Sequence, residues 1–428
     1  MDTRRPKIAL IGAGSASFGL GVLRDVVQSP ELRGSTLALV DINEQAVTTI
    51  ADLAQRLSDA AGAGLVIEPT TERRDALHDA QFVVVSIERE RERLWRLDFD
   101  VPNRHGIRQV TGENGGPGGL FHSLRMIPPV LEIARDMEEV CPHALLINFT
   151  NPMSRICLAL SRHTSLQFVG LCHGIHNHVP RLARIMDIDA KDIEPKAAGI
   201  NHFTWILDLR RKSTGEDLYP LLREASRSYD PAYLPLDRYL FEQYGLFPSP
   251  SDDHPAEYLP YAWEFCGLRG PDLEGGASYR DNLWARIHRI LAGQEPITDL
   301  LTKRSGERAV DIIVSVVTAR NGYEWAVNIP NRGHIANLPD GCIVEVPAVV
   351  SSWGTRGLSV GSLPEGIAAL LRTQVAVQEL VVEAAVTGDR RIALQALLAD
   401  PVVQSAKAAE QTLDELLRLE ADYLPQFA

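Results

Sequence analysis

The apolar run Lys7-Ile8-Ala9-Leu10-Ile11 stops at Gly12-Ala13-Gly14, and helical spacing follows over residues 19–27. No other stretch restricts the fold as strongly. A strand, a glycine turn and a helix open the kind of sheet that cradles a dinucleotide. One glycine permits the tight turn, and the next lets the backbone approach a pyrophosphate at the helix N-terminus. Ser17 stands where a third glycine is usual. Gly12, Gly14, Ser15 and Phe18 are the candidate cofactor residues in this turn.

The alternation then continues. Strands are expected over 36–40, 82–85, 144–147 and 168–171, and helices over 45–61, 122–140 and 153–163. Such alternation gives a parallel, doubly wound sheet with right-handed crossovers. Asp41, Ser86, Asn148 and Cys172 all fall at carboxyl ends of expected strands, the edge where α/β sheets bind ligands. Asp41 could accept hydrogen bonds from the adenosine ribose and repel a 2′-phosphate, which favours NAD over NADP. It could instead cap the helix starting near Glu44.

After His202 the signals mix. A strand over 203–209 precedes aromatic-rich stretches, and long helices over 364–385, 391–398 and 405–422 finish the chain. The expected class is α/β: a Rossmann-type doubly wound parallel sheet plus a mixed α+β second domain, as in lactate and malate dehydrogenases. The expected division is a cofactor-binding domain over 1–195 and a substrate, metal and oligomerisation domain over 196–428.

Two glycine-flanked strings carry metal-capable side chains: Gly170-Leu171-Cys172-His173-Gly174 and Gly199-Ile200-Asn201-His202. A thiolate and an imidazole can share one metal and leave positions open to substrate oxygens. Taken singly, each reads more readily as a buried thiol or a structural histidine. The stretch Thr111-Gly112-Glu113-Asn114-Gly115-Gly116-Pro117-Gly118-Gly119 holds six glycines and prolines in nine residues and reads as a loop over the site. His122 and Arg125 follow it, as site residues or as a solvated face. Acids and bases also gather at Tyr244, Asp252, Asp253, His254 and Glu257.

A net charge of -13 excludes nucleic acid and anionic membrane as natural partners. Five scattered cysteines form no disulfide framework and suit a reducing cytoplasm. The first residues lack the apolar stretch of a signal peptide, and no run is long enough for a membrane helix. A cytoplasmic location is expected.

Together these residues resemble glycoside hydrolase family 4. The matching pieces are the 12–18 turn, Asp41, Gly116-Pro117-Gly118-Gly119 with Leu124-Arg125, Asn148-Phe149-Thr150-Asn151-Pro152-Met153, both glycine-flanked strings, and the stretches 253–260 and 337–347. The resemblance implies a redox-assisted elimination. The sugar is oxidised at C3 with NAD+ as acceptor, a base takes the C2 proton, the aglycone leaves, water adds and the hydride returns.

It further implies Mn2+ or another divalent metal on Cys172 and His202, a nicotinamide over the Asn148–Asn151 turn, and Asn151 orienting sugar hydroxyls. Tyr244 or Asp252 is the implied base, with Asp253 behind them. His173 is implied as general acid or sugar ligand. In this family a histidine there marks non-phosphorylated α-glycosides: α-glucuronides, α-glucosides or α-galactosides. Gly174 marginally favours glucuronide, whose carboxylate would need a partner such as Arg332, Asn331 or Arg125. A homodimer or homotetramer is expected. The alternative is a plain NAD-dependent sugar or hydroxy-acid dehydrogenase on the same fold.

Overall fold

The apolar runs become strands because the sheet buries them on both faces. In chain order the strands are β1 (Lys7–Ile11), β2 (Thr36–Val40), β3 (Val66–Thr70), β4 (Phe82–Val85), β5 (Leu145–Asn148), β6 (Phe168–Gly170), β7 (Ile193–Ile200), β8 (Phe203–Arg211), β9 (Phe247–Ser249), β10 (Gly322–Pro330), β11 (Ile343–Ser351) and β12 (Gly354–Gly357). The computed structural model describes residues 5–16 and 18–428; Ser17 lies outside them, and of Phe18 only the backbone is described.

Six strands pair in parallel in the order β3-β2-β1-β4-β5-β6. This is the doubly wound order expected, and its direction reverses between β1 and β4. The sheet then continues through β10, β11, β7, β8 and β9, each pair antiparallel, with β12 on β11. Single pairings make the joins: Asn328 opposite Gly170, and Glu345 opposite Gly199. The mixed second part is therefore a continuation of the first sheet.

Two elements fall outside the expected runs, and one local reading changes. The segment Val66–Thr70 is a sheet-edge strand whose residues are largely exposed, so it lacks the apolar run that marks its neighbours. The charged stretch Arg91–Arg104 is a helix, with Leu94, Asp98 and Val101 on its buried side. The glycine-rich stretch is only half a loop. A helix runs Gly116–Val140, and its first turn, Gly116-Pro117-Gly118-Gly119, is buried. Glycine there serves close packing: a Cβ on Gly118 would lie 2.9 Å from the Gly112 Cα.

All five cysteines are free thiols. Among the described residues no helix is long and apolar enough to cross a membrane.

Candidate functional site

The first turn is built as a cradle. Gly12 and Ala13 both donate to the Val40 carbonyl, at 2.9 and 3.0 Å. Gly12 has φ +88°, and a Cβ there would collide with the Ser86 carbonyl oxygen. Gly14 donates its N–H to Asp41 Oδ2 at 2.8 Å, and a Cβ on it would fall 2.7 Å from Asp41 Cγ. The second glycine thus makes room for a carboxylate at the end of β2. Asp41 Oδ1 accepts from Asn43 N at 2.9 Å, but the cap of the helix Glu44–Ala61 is Asn43, which accepts from Ala46 N. Helix capping is therefore not the role of Asp41. The missing third glycine is supplied two residues later by Gly19, where a Cβ would lie 2.6 Å from the Ala13 carbonyl oxygen. Ser15 donates its N–H to the Gly12 carbonyl within the turn.

Asn148 ends β5 fully buried, its amide engaged within its own turn: Nδ2 donates to the Thr150 carbonyl at 3.0 Å and Oδ1 accepts from Thr150 N at 3.1 Å. It shapes the loop that presents Asn151, which is half-buried. Thr150 Oγ1 accepts from Ile87 N, joining this turn to the end of β4.

Cys172 leaves β6 half-buried and meets the imidazole of His202 in a hydrogen bond. His202 sits 4% exposed in the tight turn from β7 to β8 with φ +63°, a conformation that costs a non-glycine residue on the order of 1 kcal/mol. Buried polar groups hold that turn. Glu345 on β11 accepts from Asn201 Nδ2 at 2.8 Å, Thr204 Oγ1 at 2.7 Å and Asn328 Nδ2 at 2.9 Å. Glu257, 3% exposed, lies with Oε2 3.6 Å from His202 Nδ1 and accepts from Thr111 Oγ1, Glu113 N and Asn114 N. Burial raises the Cys172 thiol pKa, but the His202 hydrogen bond and charge outweigh it and hold the group below its ordinary value. Burial opposes the His202 charge, yet Cys172 and Glu257 raise that imidazole well above the usual range.

Glu257 and Glu345 were not singled out by role from the sequence. The signal for Glu345 was present: it is the one acid in the otherwise apolar strand Ile343–Ser351, and a lone buried charge in such a strand has partners.

His173 stands beside Cys172 with its side chain 46% exposed and Nδ1 3.2 Å from Glu307 Oε2. That carboxylate raises the imidazole pKa to about 9. On the other side, His254 packs edge-on against His202 with ring centroids 4.3 Å apart. Asp253 Oδ1 accepts from His254 Nδ1 at 2.9 Å and Ser251 Oγ at 2.7 Å. Burial pushes this carboxyl up, but His254 and Ser251 hold it well below the usual range.

The other expected acids and bases make contacts of their own. Asp252 turns to the start of the helix Pro235–Tyr244, accepting from Asp237 N at 2.8 Å. Tyr244, at the end of that helix, packs on Trp205 with centroids 5.4 Å apart and shares a hydrogen bond with Tyr261. Arg332 is exposed and makes no hydrogen bond or ion pair among the described residues. Its loop packs through Gly341 beside Arg162 in the last turn of the helix Met153–His163, at the far end from Asn148–Asn151. Asn331 is closed in its own loop, donating Nδ2 to the carbonyls of Ile335, Leu338 and Pro339. Arg125 is neither a solvated residue nor a free cation: it is buried between Asp98 and Glu420.

Asp237 is fully buried, and its carboxyl pKa is raised well above normal by that burial and by Asp252 and Asp253. An acid whose folded pKa exceeds its unfolded value is harmless below the unfolded value, about 3.9, and weakens the fold progressively as pH rises toward the folded one. Asparagine keeps a donor toward Asp252 without that penalty. Asp237→Asn is expected to melt higher than the parent, by about 1 kcal/mol or more, with the gap widening from about pH 5 to pH 8. Thermal melts across that range check it, and a gap that is flat with pH would refute the raised Asp237 carboxyl.

Residues 7–188 match the family 4 glycosyl hydrolases, and residues 197–403 match the C-terminal domain of the same family. The chain is 37% identical to an α-glucosidase of Erwinia rhapontici, covering 98% of each chain. It is 31% identical to an α-galactosidase of Bacillus subtilis, over 98% of this chain and 99% of that one. A crystal structure of a 6-phospho-α-glucosidase from gut microorganisms, in complex with NAD and Mn2+, superposes with a TM-score of 0.85 at 22% identity, over 98% and 99% of the two chains. Two-part matching of this extent, over the sheet edge just described, means that the chain belongs to the family 4 glycosyl hydrolases and is a glycosidase.

Proposed function

We propose that this protein hydrolyses non-phosphorylated α-glycosides with NAD and a divalent metal such as Mn2+. Residues 1–195 would hold the dinucleotide, and residues 196–428 would complete the metal and substrate site and carry the subunit contacts of a homodimer or homotetramer. The observation carrying this reading is the meeting of Cys172, from the end of β6, with His202, from the turn between β7 and β8. The residues fit both groups. Gly12 and Gly14 leave a turn without side chains at the switch point, and Asp41 stands beside it as a ribose acceptor. A thiolate and an imidazole make two ligands of a site whose other positions stay open to sugar oxygens. Among the described residues there is no cluster of three or more His, Cys, Asp or Glu that would close it.

When bound, NAD supplies a hydride acceptor for C3, and the metal supplies Lewis-acid polarisation of the sugar oxygens. This chain's own residues do the rest. Asn151, whose side chain makes no hydrogen bond among the described residues, orients sugar hydroxyls. Asp253 takes the C2 proton: of the three base candidates it is the one joined to His202 through His254, and it is held ionised. His173, kept protonated by Glu307, donates to the departing aglycone. Glu257 orients the His202 ring.

Turnover of a nitrophenyl α-hexoside in deuterated water is expected to place deuterium at C2 of the released sugar. Hydrolysis by two carboxylates leaves C2 untouched. A product unlabelled at C2 would count against the elimination, and steady NADH accumulation without glycoside cleavage would support a plain dehydrogenase instead.

A further inference from the structure

Beside the site lies a charged cluster that the proposed chemistry does not use. Glu88 follows β4, one residue after Ile87, whose N–H is tied to Thr150. Arg91 donates to Glu88 Oε2 at 3.0 Å and to Glu113 Oε1 at 2.7 Å. His122, 4% exposed, has Nε2 3.2 Å from Glu88 Oε2 and Nδ1 2.9 Å from the Glu113 carbonyl. The cluster reaches His202 through one carboxylate: Glu113 N donates at 2.7 Å to Glu257, which lies beside that imidazole. Both acids are ionised. Burial raises Glu88, but His122 and Arg91 bring it to about 2; burial raises Glu113, but Arg91 outweighs it.

Each cation of the cluster already has a carboxylate partner. Arg91 is bound by two, and His122 is held by Glu88. His173 on the other wall is held by Glu307. An entering sugar carboxylate or phosphate would have to displace one of these acids and would face the rest, and like charges brought together at an interface oppose binding strongly. An uncharged sugar meets good hydroxyl acceptors instead. Rejecting a charged analogue by lining a wall with its own charge is a known route to specificity.

We propose that the Glu88–Arg91–Glu113–His122 cluster selects uncharged α-hexosides and excludes α-hexuronides and 6-phosphorylated sugars. This rests on the glycosidase reading and narrows its substrate to neutral sugars, against the glucuronide that Gly174 favours in the sequence.

The test uses the full-length enzyme with NAD+ and Mn2+ on paired nitrophenyl α-glucoside and α-glucuronide, and α-galactoside and α-galacturonide. In the parent, kcat/KM for each hexoside is expected to exceed that for its uronide by at least about a hundredfold. Glu88→Gln removes one carboxylate from both Arg91 and His122, so the hexoside-to-uronide ratio should fall about tenfold. The ratio is read within one preparation, so partial unfolding cancels. If neither kind of glycoside is cleaved, the glycosidase reading fails. If glycosides are cleaved but uronides equal or exceed hexosides, or if the Glu88→Gln ratio is unchanged, the charge proposal alone fails. Arg89 follows Glu88, and its side chain makes no hydrogen bond or ion pair among the described residues. A uronide preference that disappears in Arg89→Ala would assign that residue as a carboxylate receptor and overturn the proposal.

Discussion

Cys172→Ala is expected to lose about a thousandfold or more in Mn2+-supported kcat while NAD affinity stays within about twofold. The size follows from the role. A Lewis acid at the sugar oxygens contributes several kcal/mol to the barrier, and each 1.4 kcal/mol is about a factor of ten. With Cys172 and His202 as the two protein ligands of the proposed metal, losing either removes half of the set. His202→Ala should therefore match Cys172→Ala, and the double variant should cost little more than either single one, because both act through one ion. Glu257→Gln should cost less, about ten- to a hundredfold, since it acts only by orienting His202. The cofactor turn is independent of these changes: Gly12, Gly14 and Asp41 bond among themselves and to Val40 on other strands. The measurements are kcat against Mn2+ concentration and NAD binding by fluorescence. Full activity of Cys172→Ala after chelation would remove the thiolate from the metal site.

The parallel half of the sheet was legible because its strands are buried on both faces and so appear as unbroken apolar runs ending in Asp41, Asn148 and Cys172. The edge strand Val66–Thr70 was not, since exposure removes the apolar signal: Val66 itself is 52% exposed. The helix Arg91–Arg104 was hidden by its charges. Several of these are matched at distance rather than by period, as in Arg104 with Glu415. In Gly115-Gly116-Pro117-Gly118-Gly119, glycine meant tight packing where flexibility was the local reading, and composition alone does not separate the two.

Within the site, the resemblance put Asp252 ahead of its neighbour Asp253 as the candidate base. The backbone sends one to Asp237 and the other to His254, a divergence of adjacent side chains that no spacing rule reports. Arg332 was chosen for charge and turn character, but the chain packs that turn against Arg162. The pairing of Cys172 with His202 was expected from resemblance. The structure adds what holds it: Glu257 on the imidazole and Glu345 under the turn.

The largest expected loss of stability lies away from the chemistry, at Arg125. Its guanidinium is 2% exposed and makes two bonds to Asp98, at 3.0 and 2.6 Å, and one to Glu420 at 2.7 Å. Asp98 and Glu420 are both fully buried. The three groups join the helix Arg91–Arg104, the central helix Gly116–Val140 and the end of the C-terminal helix Ala406–Leu419. Removing one partner of a buried ionic set leaves uncompensated charge, which costs about 3–5 kcal/mol. Arg125→Met should therefore melt well below the parent at about pH 8.

The loss should shrink as pH falls. Glu420 is pushed well above its usual value by burial and by Asp98 even in the parent, and without Arg125 it would rise further. Acids with raised folded pKa values weaken the fold as pH climbs above their unfolded values, near 4, so acidification relieves the variant by protonating them. Replacing all three groups with apolar residues, Arg125→Met with Asp98→Leu and Glu420→Leu, should recover most of the stability, because a buried ion set exchanged whole for packed apolar side chains is often neutral. Thermal melts of the single and triple variants between about pH 5 and pH 8 decide the matter. An Arg125→Met protein that melts with the parent throughout would mean that Arg125 carries little of the helix junction.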